Sequence, residues 1–288
     1  MANEIDTGAS AGEMIQAELL SNMIIPAAYG PSVMLPLVRR ESLVGVPTGT
    51  GEYTKHPLLA AAGLTDGTAI GNSAYDPTST QVTTVEVGIS LEQTDLHRAE
   101  SILNMDILAQ QAGLAVANKI DTDLLAEVAD FSNSVGTSSS DLTNANILSA
   151  IYTLKAGNAQ DRGPIVGVLH PIQVFDLFTN LATLTGTPVP AMTGAPGFGV
   201  ARSFNLYGIP FYESTLCASV NTNADRQGAM FVAGQGSGLI YQTKWDPRVE
   251  LERDAKMRSW SVVVTAAYGD ECIDTSSSAG VAIITDHE

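Results

Sequence analysis

Between Arg248 and Arg258 every even-numbered position is charged: Arg248, Glu250, Glu252, Asp254, Lys256 and Arg258. Arg253 lies among them, so the stretch holds three acids and four bases. A spacing of two is the repeat of one strand face. The chemistry open to such a face is ion pairing with a second charged surface. Mixed signs do not suit a pocket for one small ligand; they suit reciprocal pairing with copies of the same chain. The alternative is a solvated edge hairpin whose charges only block aggregation.

The groups that usually carry catalysis are scattered. His56, His97, His170 and His287 belong to no ligand motif. His170 follows a strand-like run and precedes Pro171, a place where α/β enzymes keep catalytic groups; a turn or capping role is the simpler reading. Asp121 and Asp123 are two apart on a helix and so face different sides. Gly234-x-Gly236-x-Gly238 lacks the helix start and acid of a dinucleotide fingerprint, and Gly49-Thr50-Gly51 lacks the ending of a phosphate loop. Both read as turns. Cys217 sits between Leu216 and Ala218, the setting of an inert buried thiol, and two cysteines make neither a disulfide framework nor a zinc site. The sequence therefore offers no catalytic, cofactor-binding or metal-ligating set.

The elements around the charged face explain its position. From Trp260 to Tyr268 the even positions become apolar: Trp260, Val262, Val264, Ala266 and Tyr268. One straight strand cannot put both sets in one environment. A chain reversal near Asp254-Ala255-Lys256 resolves the conflict and predicts a long hairpin with a charged tip and an apolar base. Val85, Val87, Ile89 and Leu91 predict another strand, with Gly51 to His56 as its antiparallel partner. Between them, about Ala60 to Thr80 carries almost no large apolar residue. A loop of that length is either mobile or laid on a neighbour.

Residues 102 to 131 give the clearest helix. Met105, Leu108, Ala112, Val116, Ile120, Leu124, Val128 and Phe131 recur at three and four. About 26 helical residues would span about 39 Å, suited to a spine crossing a flat subunit. Ser132 to Ser140 reads as a linker. The stretch from 141 to about 240 reads as an α/β unit. It holds a helix through Ile147, Ile151 and Leu154 that stops at Gly157, a buried strand over Ile165 to Leu169, and a helix starting at Pro171. Strand-like runs follow at Leu206 to Tyr212, Ala229 to Ala233 and Leu239 to Thr243, and a last short strand spans Val281 to Thr285. Residues 1 to about 40 read as a partly helical arm ordered mainly by partners.

Composition sets outer limits. Of 288 residues, 44% are hydrophobic and 16% charged, so much of the surface is neutral, as expected of surface buried by copies of itself. A net charge of −17 argues against tight non-specific nucleic-acid binding, which needs Lys and Arg to displace counterions. Met1 to Val38 contains no Lys or Arg, so a secretory leader is not expected. No segment approaches the roughly 20 apolar residues that span a bilayer. A cytosolic, soluble chain is the expectation.

Acidic arm, two-stranded flap, spine helix, α/β unit and returning charged hairpin follow in an order that resembles the major capsid protein of tailed bacteriophages, a fold shared with encapsulins and herpesvirus capsid floors. Phe204 to Ser214 is similar to that family's strand, Gly, x-Pro, strand signature. The resemblance implies an α+β chain with an N-terminal arm at 1–42, an extended β-hairpin loop at 43–92 and a peripheral domain with the spine helix at 93–140. An axial α/β domain at 141–243 and the peripheral closing hairpin and strands at 244–288 complete it. It also implies self-assembly into hexamers and pentamers of an icosahedral virion capsid, built in the host cytoplasm around double-stranded DNA that is not tightly bound. A portal protein and an optional decoration protein would be partners. A family scaffolding segment of about a hundred residues has no counterpart here, so a separate scaffolding protein is expected. Tyr53, Lys55, Arg248, Glu250, Glu252, Arg253, Asp254, Lys256 and Arg258 become candidate inter-subunit contacts. Lys55 near the flap base, and a tip without Asn, argue against the covalent subunit welding of some members. An encapsulin shell is the alternative within the fold, and a cytosolic α/β enzyme using His170 the distant one.

Overall fold

The computed structural model describes residues 32–56, 75–96, 105–185, 203–221 and 225–285, with isolated positions between 61 and 69. In chain order come β1 (Arg39–Ser42), β2 (Thr50–Lys55), β3 (Thr78–Thr83), β4 (Val85–Thr94), α1 (Met105–Ala126) and β5 (Ser134–Val135). Then follow α2 (Asn144–Ala156), β6 (Ile165–Leu169), α3 (Pro171–Thr185), β7 (Ser203–Leu206), β8 (Ile209–Glu213) and β9 (Ala218–Val220). The last are β10 (Asp225–Val232), β11 (Leu239–Asp254), β12 (Ser259–Cys272) and β13 (Gly280–Thr285).

The long hairpin is β11 and β12, reversing over residues 255–258. Its register resolves the switch of parity. Val249 faces Val264 and Leu251 faces Val262 across the pair, so odd residues of one strand share a face with even residues of the other. Val262, Val264, Ala266 and Tyr268 are buried, while Arg248, Glu250 and Glu252 are exposed on the opposite face. Two register shifts between Thr243 and Arg248 bend β11, and Pro247 sits there, where a ladder donor can be spared.

One sheet runs β1-β11-β12-β4 and a second runs β5-β13-β10-β6-β8-β7, with β9 also on β10. Spine helix α1 and the 3-10 turn Glu127–Asp130 that continues it pack against both. Val116, Ile120, Leu124, Val128 and Phe131 join Tyr241, Val264 and Tyr268 of the first sheet and Val166 and Phe231 of the second in one apolar cluster. The helix stripe read from the sequence is thus the centre of the core; Met105 and Leu108 lie where side chains are outside the described residues. On the far face of the second sheet, Ile147, Leu154 of α2 and Val174, Leu177 of α3 cover Phe211, Met230 and Val281. Gly157 caps α2. Tyr207 and Gly208, with φ of 54° and 79°, make the two-residue turn between β7 and β8; two left-handed positions in a row are what a type I′ hairpin requires.

Four expectations need correction. The strand over Val85 to Leu91 does not pair with residues 51–56. Instead β2 pairs with β3, from Thr50 opposite Thr83 to Lys55 opposite Thr78, and β4 pairs with β12. Val87, Ile89 and Leu91 pack on the main core, a larger apolar surface than the polar flap offers. Val281 to Thr285 does not close the hairpin sheet; it pairs with β10 and β5 in the other sheet, where its continuous apolar run is buried on both faces. Leu239 to Thr243 belongs to the hairpin strand rather than to the α/β unit. Finally, the end of the arm is ordered by its own chain: Met34, Leu35, Leu37 and Val38 are in the core, and β1 pairs with β11 in parallel. Residues 1–31 and the middle of the flap lie outside the described residues.

Candidate assembly surfaces

At the hairpin tip, Asp254 turns the chain: its Oδ1 accepts from the amides of Lys256 (2.8 Å) and Met257 (3.1 Å). Arg258, at φ 50°, completes the reversal. The Arg253 guanidinium donates to both carboxylate oxygens of Asp95, at 3.1 and 2.9 Å, and lies 5.2 Å from the Trp260 ring. The planar fork matches the carboxylate in a two-bond geometry that a point charge cannot reproduce. Arg248 lies 4.9 Å over Trp245 and 3.7 Å from Glu250. Among the described residues Glu252, Lys256 and Arg258 make no side-chain hydrogen bond or ion pair, and all three are exposed. The charged face thus divides into residues with partners inside the chain (Arg248, Glu250, Arg253, Asp254) and residues left outward (Glu252, Lys256, Arg258). Met257, 63% exposed, stands between the two outward bases. Sequence reading missed Met257 and Asp95; the first is a lone apolar residue in a polar turn, the second lies far away in sequence.

The two flap residues fall elsewhere. Tyr53 donates its hydroxyl to buried Gln242 Oε1 at 2.8 Å, with the Arg39 guanidinium 5.5 Å from its ring. Lys55 reaches Asp274 at 2.5 Å, and Arg162 meets the other oxygen of that carboxylate at 2.5 Å. Both contacts are within the chain. Burial alone would raise the Asp274 carboxyl; bonds from Lys55, Ser276 and Arg162 outweigh it and hold it at about 2.

Other titratable residues have structural partners. His170 caps α3: its Nδ1 accepts the Ile172 amide at 3.2 Å, while Gln173 Oε1 accepts the His170 amide at 3.1 Å. Burial and then Arg226 lower its pKa, which favours the neutral ring that can accept. Burial pushes the Cys217 thiol up to about 12. Asp121 and Asp123 face apart as expected. Asp121 is buried against the arm, and Asp123 accepts from Lys119 and the Tyr268 hydroxyl. Glu127, Asp130 and Glu271 bring carboxylate oxygens within 4.8 Å of one another. Burial, then Glu271 and Asp270, push Glu127 up to about 7. That group was not read from sequence, because the spine helix and β12 meet only through the fold.

No protein-family model matches the chain, and no curated protein matches it. Solved structures do. The chain is similar to the head structure of Helicobacter pylori bacteriophage KHP40, at 10% identity over 89% of this chain and 91% of that one, TM-score 0.65. Mycobacterium phage Che8 aligns at 18% identity over 82% and 84%, TM-score 0.62. An encapsulin complex of Synechococcus elongatus aligns at 12% identity over 89% and 88%, TM-score 0.64. The chain has the fold of tailed-phage capsid and encapsulin subunits, and it spans nearly the whole of each.

Proposed function

We propose that this chain is the subunit of an icosahedral phage capsid, which assembles as hexamers and pentamers and encloses double-stranded DNA. In that reading the hairpin sheet with the spine helix is the peripheral domain, and the second sheet with α2 and α3 is the axial domain. The single observation that carries it is the agreement of fold, over 89% of the chain, with a bacteriophage head structure. The tip supports it. Glu252, Lys256 and Arg258 project from the end of a long strand pair, outward and unpaired among the described residues. Exposed charges of both signs on a strand pair that β4 braces as far as Ser259 suit contact with symmetry copies, since a misplaced neighbour brings like charges together.

A net charge of −17 gives a surface that repels packaged DNA rather than gripping it. That permits DNA to slide as it is driven in. A scaffolding protein, a portal and a decoration protein are the partners this role requires or allows. No described helix is long and apolar enough to cross a membrane.

Negative-stain microscopy of the purified protein, alone and co-expressed with its neighbouring genes, tests the reading. Large icosahedral particles that contain or can be filled with DNA are expected. Small uniform shells enclosing a protein cargo would replace it with the encapsulin reading, which the Synechococcus elongatus likeness supports. A monomer under every condition would overturn both.

A further inference from the structure

The flap ribbon is held at three levels. At its root, the Thr84 amide and hydroxyl both bond to Gly49 O, at 2.9 and 2.8 Å, and buried Val82 lies against Gly269 of β12. Midway, Tyr53 reaches Gln242. At the outermost rung of the ladder, where Lys55 faces Thr78, the fixture to the body among the described residues is Lys55 on Asp274. From Gly49 to Lys55 is about 20 Å of extended chain. A two-stranded ribbon is not rigid on its own, so the outermost fixture decides where it points.

Asp274 is built for that task. Its side chain is 7% exposed. One oxygen takes Lys55 and the Ser276 amide, and the other takes Arg162. Its own backbone is pinned, since its amide bonds to Gly238 O, and Gly238 leaves no room for a Cβ against the Asp274 carbonyl. Arg162 also donates to Ser278. The carboxylate is therefore fixed to the body before the flap arrives. Beneath the flap lies a cavity of about 650 Å³, bordered by Arg39, Glu52, Lys55, Asn158, Arg162 and Asp274. With this space on the inner side, the Lys55–Asp274 ion pair is what ties this end of the flap to the body among the described residues.

We infer that Asp274 is a positioning residue for the flap: through Lys55 it fixes the direction in which the ribbon leaves its own subunit, and so which part of a neighbour the flap can meet. The second half of this inference rests on the assembly role proposed above; the first half does not. Bonds from Lys55, Ser276 and Arg162 hold the carboxyl at about 2, so it carries its charge at neutral and mildly acidic pH.

The test uses the full-length protein with Lys55→Met, which removes the latch from the flap side and leaves the Asp274–Arg162 pair in place. Asp274→Asn serves as the second variant. Hydrogen exchange is measured on free subunits, and particle shape and diameter on assembled material. We expect amides of β2 and β3 to exchange at least tenfold faster in Lys55→Met, with β10 and β13 unchanged and the melting temperature within a degree or two. Particles should become mixed in diameter or open-sided, and Lys55→Arg should restore both measurements. Flap exchange unchanged in Lys55→Met overturns the latch, whatever the particles do. A loosened flap with wild-type particles overturns its role in directing contact. A loosened flap in a protein whose wild type never assembles leaves the latch standing and sinks the shell reading.

Discussion

The Asp121 carboxylate of the spine helix accepts the Ser32 hydroxyl at 2.5 Å, and with it the amides of Val33 (2.8 Å) and Met34 (3.1 Å). One buried side chain thus joins the arm to the helix and starts the turn that drops Met34 and Leu35 into the core. Asp121→Ala strands the Ser32, Val33 and Met34 donors away from water. Hydrogen bonds to a charged group contribute about 1.5–3 kcal/mol each, and orphaned buried donors cost more. We expect a loss of about 3 kcal/mol in chemical denaturation; a loss below about 1 kcal/mol would show that solvent reaches the site and the arm is loosely held.

Charge reversal at the tip separates assembly from folding. The side chains of Glu252 and Arg258 have no partner among the described residues, so Glu252→Arg should change the stability of the chain by no more than about 0.5 kcal/mol. It should still lower particle yield several-fold, and Arg258→Glu in the same chain should recover part of the loss. Arg253→Glu is the contrasting case, because it also breaks the clasp on Asp95. Particle yield indifferent to each of these reversals, across a range of salt, would leave the charges as mere solvation of an edge.

Glu127 predicts a pH dependence. Its folded-state pKa is raised from 4.5 to about 7, first by burial and then by Glu271 and Asp270. The folded state therefore holds this proton more tightly than the unfolded state does. Stability should fall as pH climbs from about 4.5 to about 7, then level off. With allowance for solvent screening of a half-exposed group, the penalty is about 1–2 kcal/mol at pH 8. Glu127→Gln removes it, so that variant should unfold at higher denaturant than wild type at pH 8 and at nearly equal denaturant at pH 4.5. A variant advantage that is independent of pH would refute the assignment.

His170→Ala removes the acceptor at the start of α3. Loss of a helix cap costs about 1 kcal/mol, so a melting shift of a few degrees with normal particle formation is expected. An enzymatic turnover present in the wild type and lost in this variant would speak for the enzyme alternative instead.

What the sequence made legible was local. The change from charged to apolar even positions placed the hairpin reversal within the turn that occurs, because parity is a property of a few adjacent residues. The helix stripe from Ala112 to Phe131 was legible for the same reason; the turn at Tyr207-Gly208 was not, since Leu206 to Tyr212 read as one strand and the two left-handed residues split it. Partner choice was not. Val85 to Leu91 carries an alternation that fits any apolar sheet face, and only the assembled core selects β12 over the flap. The joints fixed by one residue were also silent. Asp121 and Asp274 each sit among ordinary neighbours in sequence, and nothing in their spacing points to Ser32 or Lys55. The split of the tip charges into committed and outward groups depended on Asp95, whose distance along the chain hides it.

Strand β11 has a consequence for how force would pass through the chain. Near its start Gln242 receives the Tyr53 hydroxyl, and Lys244 donates to the carbonyls of Leu43, Val46 and Thr48. Its first residues also hold β1 in register, and its last, Asp254, makes the tip. Arm, flap root and tip are therefore wired in series along a single backbone. A pull on the tip from outside travels down one continuous strand to the segment from which the flap departs. The two irregularities between Thr243 and Arg248 lie on that path, where the interrupted ladder lets tension be taken up as bending.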